Sequence, residues 1–265
     1  MALVRTRQSG RSRILTLADP QRQNALSAEM VAAIEQVLEA APQDLAALVV
    51  EGEGGVFSAG ADLKSLSAAL AKPPTPGETD PLYALNVAGG QFFARFAAAP
   101  FVTVAVVDGA AVGGGMGLAA AADIVLATPK ARFALTETSL GIPPAQIAPY
   151  LVARLGERVA RRLALTGARL DGREAAGIGL ADVFCESDEE RDARLAALLI
   201  AIERCAPGAN AETKRLFRAC HAEPPDAYIE TAARSFAAAL RGPEGREGLA
   251  AFVGKRAPSW ARNAK

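Results

Sequence analysis

The chain is poor in the residues from which many active sites are built. Histidine occurs once in 265 residues. That single residue, His221, leaves no histidine-pair metal site and no histidine-based nucleophilic triad; it reads as a surface residue. Cysteine occurs three times, at Cys185, Cys205 and Cys220. They are scattered, odd in number and without metal-ligand spacing, which argues for a reducing compartment and against a disulfide framework. Lys and Arg number 29, as do Asp and Glu. A net charge of zero exerts no strong pull on nucleic acid or membrane surfaces. No apolar run reaches membrane-spanning length, and Met1 to Arg13 is basic without an apolar signal-peptide core. These absences lead us to expect a cytoplasmic protein: one large domain, or one domain with an extension, able to bury a sizeable core.

What is present is glycine, placed after short apolar strands. Phe101 to Val107 is an apolar, β-branched run. It leads into Asp108-Gly109-Ala110-Ala111-Val112-Gly113-Gly114-Gly115-Met116-Gly117, and an alanine-rich helical pattern follows. This is a strand, a glycine loop and a helix start, where backbone N–H groups lack intrahelical partners and attract negative charge. The same device occurs earlier. Ala47-Leu48-Val49-Val50 is a short strand, Glu51 to Gly55 a glycine loop, and Val56-Phe57-Ser58-Ala59-Gly60-Ala61-Asp62-Leu63-Lys64 runs into a helix. Two such junctions are able to aim two N–H groups at one oxygen, the arrangement that stabilises charge on a carbonyl oxygen. Neither loop holds a nucleophile with a base beside it. The pattern points to carbonyl polarisation without covalent catalysis.

Along the rest of the chain, Leu3–Arg7 and Arg13–Leu17 read as a hairpin, and Ser27 as an N-cap before a helix bearing Met30, Ile34, Val37 and Leu38 on one face. Residues 71–81 hold too many prolines for a regular element and read as a mobile loop over an acyl pocket, or as an incidental surface loop. Leu82 to Ala98 reads as a helix whose Phe92, Phe93 and Phe96 belong to the core. Short strands are expected at 122–127 and 181–184, and helices at 152–166, 188–205, 209–222, 226–240 and 244–252.

Ser58-Ala59-Gly60-Ala61-Asp62-Leu63 and Asp108-Gly109 through Gly115 resemble, in order and spacing, the two signature loops of the enoyl-CoA hydratase/isomerase (crotonase) superfamily. Gln23-Asn24-Ala25-Leu26 is similar to its early CoA-binding loop, Phe133 to Pro144 to its catalytic segment, and Glu244 to Trp260 to its closing helix. The resemblance implies an α/β fold: a crotonase-like spiral of repeated ββα units over residues 1–195, with a helical C-terminal oligomerisation region over 196–265. It implies an acyl-CoA thioester as substrate, with CoA part of that substrate and no separate cofactor or metal, and assembly as a homotrimer or hexamer. It assigns the oxyanion N–H groups to Ala61 and Gly114. Arg22 and Ala25 would hold the adenine end of CoA, and Ala59, Asp62 and Leu63 would line its path. Phe252 and Lys255 would reach CoA, often from an adjacent subunit. Arg22 and Lys255 read equally well as solvated basic residues, and Asp62 as a helix-start carboxylate.

In the hydratases of this family two glutamates share the proton work. The second matches Glu137; the first falls at Gly117, so Glu137 is expected to act alone. The phrase Leu140-Gly141-Ile142-Pro143-Pro144-Ala145-Gln146-Ile147-Ala148-Pro149-Tyr150 resembles hydratases of leucine and acyclic-terpene breakdown, most of all those acting on isohexenylglutaconyl-CoA. Such substrates carry a second carboxylate, which is expected to help position water in the space left by Gly117. The resemblance also admits 3-methylglutaconyl-CoA hydration, enoyl-CoA isomerisation, and a non-catalytic acyl-CoA-binding protein.

Overall fold

The computed structural model describes residues 2–75 and 77–261. The chain opens with a hairpin of β1 (Val4–Ser9) and β2 (Ser12–Leu17). Helix α1 (Ala28–Glu39) follows. The Ser27 hydroxyl caps it by accepting from the Met30 N–H, and Met30 and Ile34, four apart on one face, are buried.

Three units then repeat. β3 (Ala47–Gly52) and β4 (Val56–Ser58) precede α2 (Leu63–Leu70). Helix α3 (Pro81–Ala97) intervenes. β5 (Val102–Val107) and β6 (Ala110–Val112) precede α4 (Gly114–Ala121). β7 (Ile124–Ala127) and β8 (Arg132–Ala134) lead to a 3-10 turn, Glu137–Leu140, and then α5 (Ala148–Thr166). In each unit the first strand joins a six-stranded sheet and the second a four-stranded sheet. Successive units pair in parallel, β3 with β5 and β5 with β7, and likewise β4 with β6 and β6 with β8. The parallel strands are covered on both faces, which is why they read as near-continuous apolar runs: Ala47 to Val50 and Val104 to Val107 are buried throughout.

β9 (Arg169–Asp171) closes the smaller sheet antiparallel to β8, and α6 (Gly172–Gly177) starts on a reciprocal capping box between Asp171 and Glu174. β10 (Val183–Phe184) ends the larger sheet beside β7. Four helices follow: α7 (Asp188–Glu203), α8 (Pro207–Ala222), α9 (Pro225–Arg241) and α10 (Pro243–Val253). The expected division at 195/196 falls inside α7, whose buried Leu195, Leu199 and Ile202 share a core with Ile14, Val49 and Val104. Glu203, at the end of α7, accepts from the Arg11 N–H at 2.9 Å and the Ser12 hydroxyl at 2.8 Å. Lys214 ties α8 to the sheet by donating to the Phe101 carbonyl at 2.8 Å and to Asp123 at 2.6 Å. Among the described residues no helix is long and apolar enough to cross a membrane.

Most expected elements are present, with three differences. The loop read as pure glycine turn contains β6, and β9 had no signal of its own. Three-residue strands are held by their neighbours in the sheet rather than by intrinsic preference. Helix α5 also begins at Ala148, before the expected Val152, because Pro149 suits the first turn of a helix. Phe92, Phe93 and Phe96 are buried in the core, as expected.

Candidate active site

The site is assembled where α4 begins. Two segments that are distant in sequence are joined there by backbone bonds. The Leu26 N–H donates to the Gly60 carbonyl at 2.7 Å, and the Ala59 N–H to the Gln23 carbonyl at 2.9 Å. Side chains reinforce the seam. The Ser58 hydroxyl donates to the Asn24 carbonyl at 2.8 Å and accepts from the Gly60 N–H at 3.1 Å. The buried Asn24 side chain donates to the carbonyls of Glu53 and Val56 at 3.0 and 2.7 Å, and accepts from the Asp19 N–H at 2.9 Å. Every polar atom of that amide is used, so residues 19–26 and 53–61 form one rigid seam.

Gly60 shows why the loop needs glycine. Its φ is +83°, and a Cβ there would stand 2.4 Å from the Val112 carbonyl oxygen and 2.7 Å from the Gly114 nitrogen. Without a side chain, the loop lies directly on the start of α4. The Ala61 nitrogen is thereby 3.5 Å from the point a Cβ on Gly114 would occupy. Gly114 is the first residue of α4, so its N–H has no intrahelical acceptor. Among the described residues neither the Ala61 nor the Gly114 N–H donates to a backbone acceptor. Two unspent donors therefore meet at one helix start.

Glu137 completes the cluster. It begins the 3-10 turn after β8, which is pinned to α5 by the Thr138 hydroxyl donating to the Ala164 carbonyl at 2.7 Å. Its Oε1 lies 3.0 Å from where a Cβ on Gly113 would stand, and its Oε2 is buried and accepts no hydrogen bond. Burial pushes its carboxyl above the usual carboxylate range, and the N–H groups of Glu137 and Thr136 only partly oppose that. A half-buried carboxyl group with an orphaned oxygen, next to two donors, is suited to moving protons on a polarised carbonyl compound.

Of the residues expected at the site, Ala61, Gly114 and Glu137 are brought together. Arg22, Ala25, Ala59, Asp62 and Leu63 lie along the seam or just beyond it. Exposed Arg22 is 3.7 Å from Asp19. Asp62 caps α2 by accepting from the Lys64 N–H, and the Ser65 hydroxyl, donating at 2.7 Å, is the main cause holding its carboxyl below the usual range. Leu63 is exposed. Phe252 lies on the last turn of α10, which packs on α9, and Lys255 follows two residues beyond its end; Phe252 is 82% exposed.

One expectation is corrected. There is no space at Gly117 for water. A Cβ on Gly117 would stand 2.2 Å from Cγ2 of Ile147, and Ile147 is buried at 4% exposure. Two further residues escaped the sequence reading. The Gln146 amide donates to Asn86 on α3 at 2.6 Å, and its side chain occupies the space left by Gly90. The signal for Gln146 and Ile147 was the pairing of two helix glycines, Gly90 and Gly117, with bulky residues of one loop, which appears only once α3, α4 and that loop are packed together.

The pattern of the enoyl-CoA hydratase/isomerase family matches residues 11–263. The chain belongs to that family. A putative enoyl-CoA hydratase of Thermus thermophilus is 33% identical over 253 residues, covering 95% of this chain and 98% of the relative. Among solved structures, an enoyl-CoA hydratase/isomerase from Marinobacter aquaeolei superposes with a TM-score of 0.93 at 39% identity, over 99% of this chain and 100% of its own. Pseudomonas aeruginosa AtuE superposes at 0.92 with 43% identity, over 98% and 100%. The spiral of ββα units with its C-terminal helices is the crotonase fold, and the protein is an enzyme of the enoyl-CoA hydratase type.

Proposed function

We propose that this enzyme adds water across the α,β double bond of a branched, glutaconyl-type enoyl-CoA, with isohexenylglutaconyl-CoA as the leading substrate. The observation that carries the reading is the convergence of the Ala61 and Gly114 N–H groups on the first turn of α4 beside one carboxyl group, Glu137, with an unpartnered buried oxygen. The two donors hold the thioester oxygen and stabilise the enolate charge that develops there. Ionised Glu137 takes a proton from water as the water oxygen bonds to the β-carbon. The same carboxyl group then gives that proton to the α-carbon, so one water is added and the glutamate is restored. CoA lies along the seam of Arg22, Ala25, Ala59, Asp62 and Leu63, with Phe252 and Lys255 contributed from a neighbouring subunit.

The glutaconyl branch is supported by the resemblance of residues 140–150, and by the Gln146–Asn86 amide pair beside Ile147, which offers polar groups to a second substrate carboxylate. Exposed Phe217, Phe236, Phe252 and Val253 on α8, α9 and α10 support a homotrimer or hexamer built through the C-terminal region. The charge balance and cysteine usage support a cytoplasmic location. Isomerisation is the second reading, favoured by the filling of the Gly117 site with Ile147: one carboxyl group suffices to move a proton between two carbons.

The test is turnover of crotonyl-CoA, 3-methylglutaconyl-CoA, isohexenylglutaconyl-CoA and a 3-enoyl-CoA by wild type and Glu137→Gln, with products identified by mass and chromatography. Water addition to isohexenylglutaconyl-CoA, lost in the variant, is expected. Hydration of the 3-methyl ester alone shifts the assignment to that substrate, and double-bond migration alone makes the enzyme an isomerase. No turnover, with CoA binding unaffected by Glu137→Gln, leaves an acyl-CoA-binding protein.

A further inference from the structure

A cavity of about 590 Å³ lies at the N-terminal ends of β2 and β3, with Gly10, Arg11, Asp44, Glu203, Glu244 and Trp260 among its lining residues. That volume is in the range of small-molecule sites. Arg11 and Asp44 precede the two strands, whose other ends lead to Asp19 and Glu53 in the seam that carries Ala61. Six residues of strand span roughly 17 Å, so the cavity is separate from the catalytic cluster.

Its wall holds a carboxylate without a countercharge. Glu203 is 8% exposed. Its Oε1 accepts from the Arg11 N–H and the Ser12 hydroxyl. Among the described residues its Oε2 accepts no hydrogen bond and joins no ion pair. Unlike the sealed Oε2 of Glu137, this oxygen opens on the cavity. The Arg11 guanidinium is spent on the main-chain carbonyls of Glu203 and Asp44, at 2.6 and 3.3 Å. Glu244 uses both oxygens on the N–H groups of Gly208 and Ala209, at 2.9 and 3.0 Å. The lining thus carries three carboxylates against one guanidinium. Gly10, with φ at +58°, keeps the approach clear, since a Cβ there would stand 2.9 Å from Glu203 Oε2. Trp260 forms another wall; its indole N–H donates to the Arg204 carbonyl at 3.1 Å, and its ring edge rests on Gly248.

We propose that this cavity is a second ligand site, for an organic cation: an ammonium group bound to Glu203 Oε2, with its apolar body against the Trp260 ring. A carboxylate is almost never buried this deeply without a partner, because an uncompensated charge away from water is costly. An ammonium group brings donors and no acceptor, and its charge offsets the excess of carboxylates in the lining. The tryptophan face attracts the same charge through its ring quadrupole. A bare metal ion fits less well, since no group of three or more His, Cys, Asp and Glu able to hold one occurs among the described residues. The site is independent of the reaction assigned to Glu137.

Trp260 is the single tryptophan of the chain, so its fluorescence reports on the cavity. The experiment titrates the full-length protein with phenethylammonium, and with phenethyl alcohol and hydrocinnamate as neutral and anionic counterparts of similar shape. A saturable change in emission with the ammonium probe alone is expected, and it should persist in saturating CoA. Glu203→Gln keeps an oxygen for the Arg11 N–H and the Ser12 hydroxyl while removing the charge. It should weaken binding by about tenfold or more, the loss of one charge-assisted hydrogen bond. Should that variant fail to fold, Trp260→Leu, followed by calorimetric titration, should weaken binding by about threefold or more. No saturable change, an equal response to phenethyl alcohol, or unaltered affinity in the folded variants overturns the proposal. Loss of the response in CoA would place the ammonium in the acyl-CoA site and overturn it as well.

Discussion

Replacing glycine by alanine at position 89 and at position 117 makes the same chemical change inside two helices, and the structure assigns the two changes opposite signs. In a helix interior, alanine is favoured over glycine by roughly 0.5–1 kcal/mol, because glycine loses more conformational freedom on folding. Gly89, in α3, has open space where the Cβ would stand. Gly89→Ala should therefore stabilise by about that amount. Gly117, in α4, has Ile147 Cγ2 at 2.2 Å and Ile147 Cβ at 2.7 Å from the new atom. Overpacking of a core costs ~1–3 kcal/mol, so the net effect of Gly117→Ala is a loss of up to about 2 kcal/mol after the propensity gain. For a chain of this size 1 kcal/mol is roughly 2–4 °C in Tm. Gly89→Ala should rise by ~1–4 °C and Gly117→Ala should fall by up to ~8 °C. A double-mutant cycle adds a sharper check. Ile147→Ala alone costs ~2–5 kcal/mol, yet it removes the nearest clashing atom and leaves only the approach at 2.7 Å. The double variant should lose less than the sum, with a coupling on the order of 1 kcal/mol. Calorimetry on wild type and the four variants decides it. Gly117→Ala as stable as Gly89→Ala, or strict additivity with Ile147→Ala, would falsify the packing argument.

Two further outcomes follow from the site. Proline is tolerated at the first residue of a helix and lacks an N–H, so Gly114→Pro should retain α4 while removing one oxyanion donor, lowering kcat by ~10²–10³; an unchanged rate at matched Tm would remove Gly114 from the reaction. Glu137→Gln should raise Tm at neutral pH. The folded protein holds Glu137 above the unfolded value of ~4.3, so its contribution to stability is fully present below that value and is lost as pH rises through the folded one. The advantage of the variant should accordingly vanish in acid, and equal Tm differences at acid and neutral pH would contradict the burial of that carboxyl group.

The elements legible in the sequence were those with a strong local cause. Ser27 sits where a helix starts, and the buried parallel strands announce themselves as apolar runs. The glycine junctions at 60–61 and 113–114 were legible because backbone without side chains at a strand-to-helix turn has few other uses. β6 and β9 were not legible, since three residues carry too little pattern and are held by their partners in the smaller sheet. The vacancy expected at Gly117 failed for a related reason. A missing side chain in the sequence says that something is close, and only the packed structure shows that the neighbour is Ile147 rather than solvent. Glu137 could be picked out by its motif, whereas the burial of its Oε2 depends on how the folded chain encloses it.

The seam between residues 22–26 and 58–61 has a consequence for exchange of parts among relatives. The Asn24 amide serves two carbonyls of the opposite strand-turn unit, and the Ser58 hydroxyl answers back to the Asn24 carbonyl. Neither segment is a module on its own. A chimera that imports the early loop alone would also shift the register at which the Ala61 N–H is presented, unless the Glu53–Gly60 side is imported with it. In this architecture the early loop and the placement of the Ala61 N–H are inherited together.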